Sequence, residues 1–467
     1  MRCAVDECQF ARVQLTKIAK GSGGAAPRGY HGIVPTHRGV IGTRSSSAAR
    51  VAFAASICAV LVGCDDERAP PAPYWQARAD SGSPGAPAGA DGGPTDPTRR
   101  SAGDAGRGCE PNEGLVLVSD DAGVIVDCVA EGRMHDIDCD GFGEDDGDCD
   151  DCSAEVNPGA IDLPGNEEDD DCSGEVDDTL ATCDGALALD SDDPFDAARA
   201  IGLCERAEGD RWGVLRAEYT RADGTREPAP IGHGLLSRFG PNVATRQGKR
   251  MLVLSSGTAR TPEMEGFAPV AGHDHDTSSE TPEGYPMDFP SCEVMTADDT
   301  VAYDSVALEL DVRVPTNARG FRFAFSFYTS EYPVFVCSAF NDYFVVLQDP
   351  APERALHANI SFDSMENPVS VNIGFVEVCA AMRIRDRDFP CARGTEELLG
   401  TGFEDHGATG WLETESSVTP GTTLTLRFAI WDMGDHIRDS TVLIDDFEFV
   451  PRTIMKPRTV PLPDRPL

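Results

Sequence analysis

Lysine is almost missing from this chain: four residues stand against thirty-five arginines in 467 positions. Basic charge as a whole is scarce, with 39 Lys and Arg facing 80 Asp and Glu for a net charge of −41. That excludes a nucleic-acid backbone as partner, because phosphates need Lys and Arg to displace their counterions. Cations are favoured instead. With its Ala, Gly, Pro and Asp load, the lysine-poor composition is that of GC-rich codon usage. Multiple apolar spans are also missing, and 40% hydrophobic with 25% charged residues fits a soluble class. Catalytic signatures are absent too: no Gly-x-Ser-x-Gly, no His-Glu-x-x-His, no phosphate-binding glycine loop and no dinucleotide fingerprint. A glycosidase needs only two carboxylates about 5–9 Å apart, so it is not removed, and Glu331 with Asp342 is the candidate pair.

What is present begins with an apolar stretch of thirteen residues, Val51–Gly63, preceded by Arg44 and Arg50. At about 1.5 Å per residue it is too short for a hydrocarbon core of roughly 30 Å, and it suits a signal-peptide core. It ends Leu61-Val62-Gly63-Cys64 and turns at once to Asp65-Asp66-Glu67, which resembles a bacterial lipobox with Cys64 as the acylated residue. Residues 1–63 therefore read as a signal peptide. Typical signals have about 15–30 residues, so residues 1–35 read as an over-extended start. Removal of residues 1–63 takes away eight basic and two acidic side chains and leaves −47. Twelve of the sixteen cysteines then remain besides Cys64, an even number in an exported chain, and disulfides follow.

Residues 64–108 are rich in Pro, Gly, Ala, Ser and Asp, and Tyr74 and Trp75 are their only aromatics. Such a segment buries too little apolar surface to offset its ordering entropy, so it is expected to be a disordered stalk. Residues 109–135 suggest a small hairpin, Leu115 to Val118 and Val124 to Val129 around a turn at Asp120–Gly123, bracketed by Cys109 and Cys128.

Residues 136–182 hold the densest chemistry. Nineteen of the 43 positions from 136 to 178 are Asp or Glu, and none is Lys or Arg. Asp136, Asp138 and Asp140 take positions one, three and five of a loop with Gly141 at six. That is the spacing by which calcium loops fold oxygens round the ion, and Phe142 would add a backbone carbonyl. The bidentate Glu expected at twelve is replaced by Gly147, followed by Asp148, and helix patterns do not flank the loop, so this is not an EF-hand. A solvated acidic face is the usual reading of a charge run, but solvation does not require alternate aspartates, turn glycines and the interleaved Cys139, Cys149, Cys152 and Cys172. Asp150, Asp151, Asp169, Asp171 and Asp177 are further candidate ligands. Hard oxygens select Ca²⁺, and zinc at Cys149-Asp150-Asp151-Cys152 is the rival. The blocks Asp148-Cys149-Asp150-Asp151, Asn157-Pro158-Gly159-Ala160 and Asp169-Asp170-Asp171-Cys172-Ser173-Gly174-Glu175-Val176-Asp177-Asp178 resemble the metal-binding repeat of bacterial surface proteins, which is similar in logic to thrombospondin type 3 calcium repeats. Asp162-Leu163-Pro164-Gly165 departs from that pattern, which has Glu-x-Cys-Asp-Gly there.

From residue 183 to 450 the composition becomes ordinary. Asp193-Pro194 signals a short helix to Leu203. Period-two alternation at Val306–Val314, Phe321–Phe327, Val369–Phe375 and Leu424–Ile430 predicts half-buried strands, and 257–300 reads as a long polar loop. The fold class is mainly β, a jelly-roll-like β-sandwich preceded by a small irregular calcium-binding, disulfide-linked module and a disordered stalk. Residues 451–467 read as a disordered tail. The motifs Ala197–Cys204, Trp212–Val214, Leu254–Arg260, Phe325–Tyr332, Asn341–Phe344 and Asp432–Ser440 resemble the choice-of-anchor L type of bacterial surface domain. That resemblance implies an exported β domain without an established activity.

Within it, Glu331, Asn341, Asp342, Asp432, Asp435, Asp439, Asp445 and Asp446 fall at strand ends beside aromatics. They read either as turn and edge chemistry or as a second metal site at Asp342, Asp435 and Asp439, with Tyr332, Tyr343 and Trp431 as a glycan-binding face. His273-Asp274-His275-Asp276 is a metal clip or a solvated loop. Cys379 with Cys391, Cys292 with Cys337 and Cys183 with Cys204 are candidate pairs. The whole reads as a non-enzymatic, lipid-anchored protein of the cell envelope, at the outer membrane, the cell surface or in the periplasm. Its Ca²⁺-stabilised module would present the β domain to an extracellular glycan or surface protein. The alternatives are an exported polysaccharide hydrolase and a transition-metal-capturing surface protein.

Overall fold

The computed structural model describes residues 136–178, 182–287, 289, 292, 300–384 and 386–463, with the backbone of two short strands, Leu117–Asp120 (β1) and Gly123–Val126 (β2). The signal peptide, Cys64, the stalk and the Cys109/Cys128 bracket lie outside the described residues. β1 and β2 pair antiparallel, Asp120 opposite Gly123, about the expected turn. Among the described residues no helix is long and apolar enough to cross a membrane.

The helix α1, Pro194–Ala200, starts where Asp193 accepts the Phe195 amide at 3.0 Å, and Ala197, Ala198 and Ala200 form its buried face. Strands follow in chain order. The first are β3 (Gly213–Thr220), β4 (His233–Leu236), β5 (Arg238–Phe239), β6 (Val243–Ala244), β7 (Met251–Ser255) and β8 (Ser278–Glu280). The long central pair is β9 (Val301–Arg313) and β10 (Gly320–Thr329), then β11 (Tyr343–Asp349), β12 (Val369–Ser370), β13 (Val378–Cys379), β14 (Met382–Ile384) and β15 (Arg387–Phe389). The chain closes with β16 (Gly407–Ser417), β17 (Thr423–Asp432), β18 (Ser440–Val450) and β19 (Arg458–Pro461).

Two antiparallel sheets result. One runs β13–β16–β10–β18–β7–β4 with β19 also on β16, and the other runs β12–β11–β17–β9–β3 with β8 also on β9. The alternating phenylalanines of β10 explain their contact. Phe323 meets Phe428 of β17 edge-on with ring centres 5.2 Å apart, and Phe325 meets Phe344 of β11 at 5.2 Å. Leu308, Leu310, Val312, Val442 and Ile444 fill the same layer. Each such side chain contributes roughly 1.5–3 kcal/mol of burial, so this layer holds the sandwich closed. The opposite faces are covered as well: Tyr285 and Phe289 lie over Tyr343 and Trp431, while Phe239 and Phe403 pack on Tyr328.

Two sequence expectations need correction. Alternation at Val369–Phe375 is strand only over Val369–Ser370, because the Ser370 hydroxyl takes the Asn372 amide and its carbonyl the Ile373 amide, closing a turn. The tail is ordered to residue 463: β19 pairs with β16, Thr459 bonds Thr414 at 2.8 Å, and Ile454 is buried.

The acidic module is docked on the β9–β10 connection. Asn317 donates to the Ile161 carbonyl at 2.8 Å and accepts its amide at 3.0 Å. The Thr316 amide donates to the Gly159 carbonyl at 3.0 Å, and its hydroxyl bonds Asn157 at 2.8 Å. The Asn-Pro-Gly-Ala block is thus the joint, with its own Ala160 buried and Phe142 buried against it.

Candidate cation sites

In the first turn of the module Asp136 spends both carboxylate oxygens on the backbone, and Asp138 and Asp140 one each. Asp136 accepts the amides of Cys139 (2.8 Å) and Gly141 (3.1 Å), Asp138 that of Asp140 (3.2 Å), and Asp140 that of Phe142 (2.7 Å). Asp148 accepts from Asp150 at 2.9 Å, and Asp151 from Ile137 at 3.1 Å. Left-handed backbone at Cys139 (φ 71°) and Gly141 (φ 99°) curls the loop so that Asp136, Asp138 and Asp140 bring ligand oxygens within 4.8 Å of one another. The second oxygens of Asp138, Asp140 and Asp148 are buried and have no hydrogen-bond partner among the described residues. Desolvation, reinforced by the neighbouring carboxylates, pushes Asp138 up to about 7, Asp140 to about 8 and Asp148 to about 6. All three resist charging unless something positive joins them. This donor set is hard oxygen throughout, which fits Ca²⁺.

The second acidic block repeats the turn. Asp169 accepts the amides of Ser173 and Gly174, both at 2.9 Å, and Asp171 that of Ser173 at 2.9 Å. Cys172 (φ 54°) and Gly174 (φ 94°) take the places of Cys139 and Gly141. The departing segment is folded in by other means: Asp177 accepts the Gly165 amide at 2.6 Å and Asp162 that of Asp170 at 3.2 Å. Asp169, Asp171 and Asp177 do not converge as Asp136, Asp138 and Asp140 do. The zinc reading falls, because Cys149 is bonded to Cys172 and Cys152 is also in a disulfide, as is Cys139. Cys183–Cys204, Cys292–Cys337 and Cys379–Cys391 are the bonds of the β domain.

A second concentration of carboxylates lies at the end of the sandwich away from the module. Asp304, Glu331, Asp342, Asp432 and Asp439 are each about 1% exposed. A bulge places the first: β17 skips from Ile430 opposite Val306 to Asp432 opposite Tyr303, and Asp304 there has φ 47°. Asp304 is fully engaged, accepting the His275 amide (3.1 Å), the Thr277 amide and hydroxyl (both 3.0 Å) and His436 Nδ1 (3.1 Å). Asp274, Asp304 and His436 lie within 4.8 Å, so the clip read at 273–276 contributes one residue, while Asp304 and His436 had no sequence signal. The His275 ring is held by the Gly257 carbonyl at 2.8 Å, and His273 stacks edge-on against it.

The remaining candidates separate. Asp435 is a turn residue, accepting the Ile437 amide at 2.9 Å, and Asp432 takes the inward place beside Asp342 and Asp439. Asp445 accepts backbone amides of Arg246 (2.6 Å), Gln247 (3.3 Å) and Asp446 (2.7 Å), and Asn341 bonds Asn372 at 2.8 Å. Glu331 accepts the Asp342 amide at 3.0 Å inside the protein, so the pair does not face each other across a cleft as a glycosidase requires. Tyr332, Tyr343 and Trp431 are buried, and Tyr343 stacks on Trp431 at 5.3 Å, which removes them as a glycan-binding face.

Residues 231–450 match the family model of the choice-of-anchor L domain. The match spans β4 to β18 and leaves out α1 and β3, although β3 pairs with β9. With the disulfides it marks a surface-associated protein of β fold. No curated protein matches the chain.

Proposed function

We propose that this is a non-enzymatic, lipid-anchored cell-envelope protein whose acidic module, braced by Ca²⁺, presents the β-sandwich for adhesion or recognition of an extracellular glycan or surface protein. The observation that carries the reading is the convergence of Asp136, Asp138 and Asp140, with a buried oxygen left over on each of Asp138 and Asp140. Calcium acts by mass action: it binds the folded loop and not the unfolded chain, with a dissociation constant of roughly 10⁻⁴–10⁻³ M, as extracellular modules show. Limited proteolysis of the full chain tests it. Cleavage within 136–178 is expected in chelator and suppressed in millimolar calcium; equal cleavage in both rejects the reading. Loss of fatty-acid incorporation in Cys64→Ser tests the anchor separately.

A further inference from the structure

We propose that Asp342, Asp432 and Asp439 form a second site for a hard divalent cation of the calcium type, placed where the two sheets meet at the end away from the module. The ligands come from both sheets. Asp432 ends β17 and Asp342 immediately precedes β11 in one; Asp439 immediately precedes β18 in the other. Asp342 already crosses between them, accepting the Ser440 hydroxyl at 2.7 Å and the Met433 amide at 3.3 Å.

The independent observation is how little else these side chains touch. All four carboxylate oxygens of Asp432 and Asp439 are buried without a hydrogen-bond partner among the described residues. The Ser256 hydroxyl, which donates to the Ser440 carbonyl at 3.3 Å, lies close enough to Asp432 to ease its charge. Positive charge does not reach them either. Arg438 lies over the Phe335 ring at 5.2 Å and donates to the Ser330 carbonyl at 3.3 Å, and His436 faces Asp304 and Asp274. Buried polar groups are otherwise almost always satisfied, and a buried charge is paired or bound to metal. Here burial raises Asp342, Asp432 and Asp439, and neighbouring carboxylates add to it: Asp435 beside Asp342, Asp342 and Asp439 beside Asp432, Asp342 and Asp304 beside Asp439.

The surroundings are shaped to this chemistry. A Cβ on Gly257 would stand 1.9 Å from Asp439 Oδ2, so only glycine leaves room for that carboxylate. The ligands are carboxylate and hydroxyl oxygens, which select Ca²⁺ over softer metals. No three of these residues bring ligand oxygens within 4.8 Å as they stand. Completing the site would require these side chains to rotate inward around the ion.

The test uses the full chain, stripped with chelator and returned to calcium, comparing the native protein, Asp432→Asn/Asp439→Asn and Asp138→Asn/Asp140→Asn. The β-domain variant is expected to bind about one calcium fewer per chain and, in chelator, to melt at a higher temperature than the native protein because repulsion is relieved. Unchanged stoichiometry overturns the proposal, including the case in which the carboxyls share protons instead. Hydrogen exchange on the native protein supplies a second reading without substitution. Calcium is expected to slow exchange at 255–257, 431–433 and 439–441; identical exchange there in chelator and millimolar calcium overturns the site. Segment 136–178 is followed in the same data, so failure of one site leaves the other standing.

Discussion

The Phe142 ring lies against the α-carbon of Gly159, where a Cβ would meet the ring at 2.7 Å. The calcium-type turn and the docking block therefore share one contact. Gly159→Ala is expected to cost about 1–3 kcal/mol by overpacking and to loosen the module on its joint. Thermal unfolding, with proteolysis mapped to 136–178, reads both effects.

The joint itself rests on Asn317, a buried side chain serving both polar groups of Ile161. Asn317→Ala leaves those groups unpaired, at about 1–3 kcal/mol. Cleavage near residues 157–165 should rise while the melting of the β domain moves little; a β domain that melts early instead would show that Asn317 supports β9 and β10 rather than the module.

Calcium binding should depend on pH between about 4 and 8. The folded loop holds Asp138, Asp140 and Asp148 at about 7, 8 and 6, above the ordinary 3.8, so it binds more protons than the unfolded chain in that window. The loop's own stability is accordingly present at low pH and lost as pH rises through those values. Calcium takes the place of the protons, so its affinity rises over the same range. Calorimetric titrations at pH 6 and pH 8 are expected to give tighter binding at pH 8, with protons released at pH 6.

Phe428→Ala removes the ring that Phe323 meets across the layer. The expected loss is about 3–5 kcal/mol of β-domain stability, measured by denaturant unfolding. Calcium binding to the module should survive where the domain remains folded.

Much of the sandwich was legible because its strands obey a local rule. Phe321, Phe323, Phe325 and Phe327 alternate, and alternation is a backbone property that needs no partner. The same rule misled at Val371 and Ile373, where a Ser370 side chain offered the backbone a turn instead. The first aspartate loop was legible for a similar reason: its spacing is the geometry. The far carboxylates were legible as a group, but not which of them are buried and which sit in turns. Asp432 and Asp435 lie in one short motif, and which of them turns inward is decided where β17 and β9 slip register at Asp304. His436 meets Asp304 across 132 positions of chain, a distance over which no local pattern reaches.

Strand β10 leaves the joint at Gly320 and, ten residues long, ends at Thr329, two positions before Glu331. At about 3.3 Å per residue, roughly 33 Å separates the two poles. Tension applied between them runs parallel to the strands, across ladder bonds that stand perpendicular to it, so those bonds would have to shear together rather than unzip in turn.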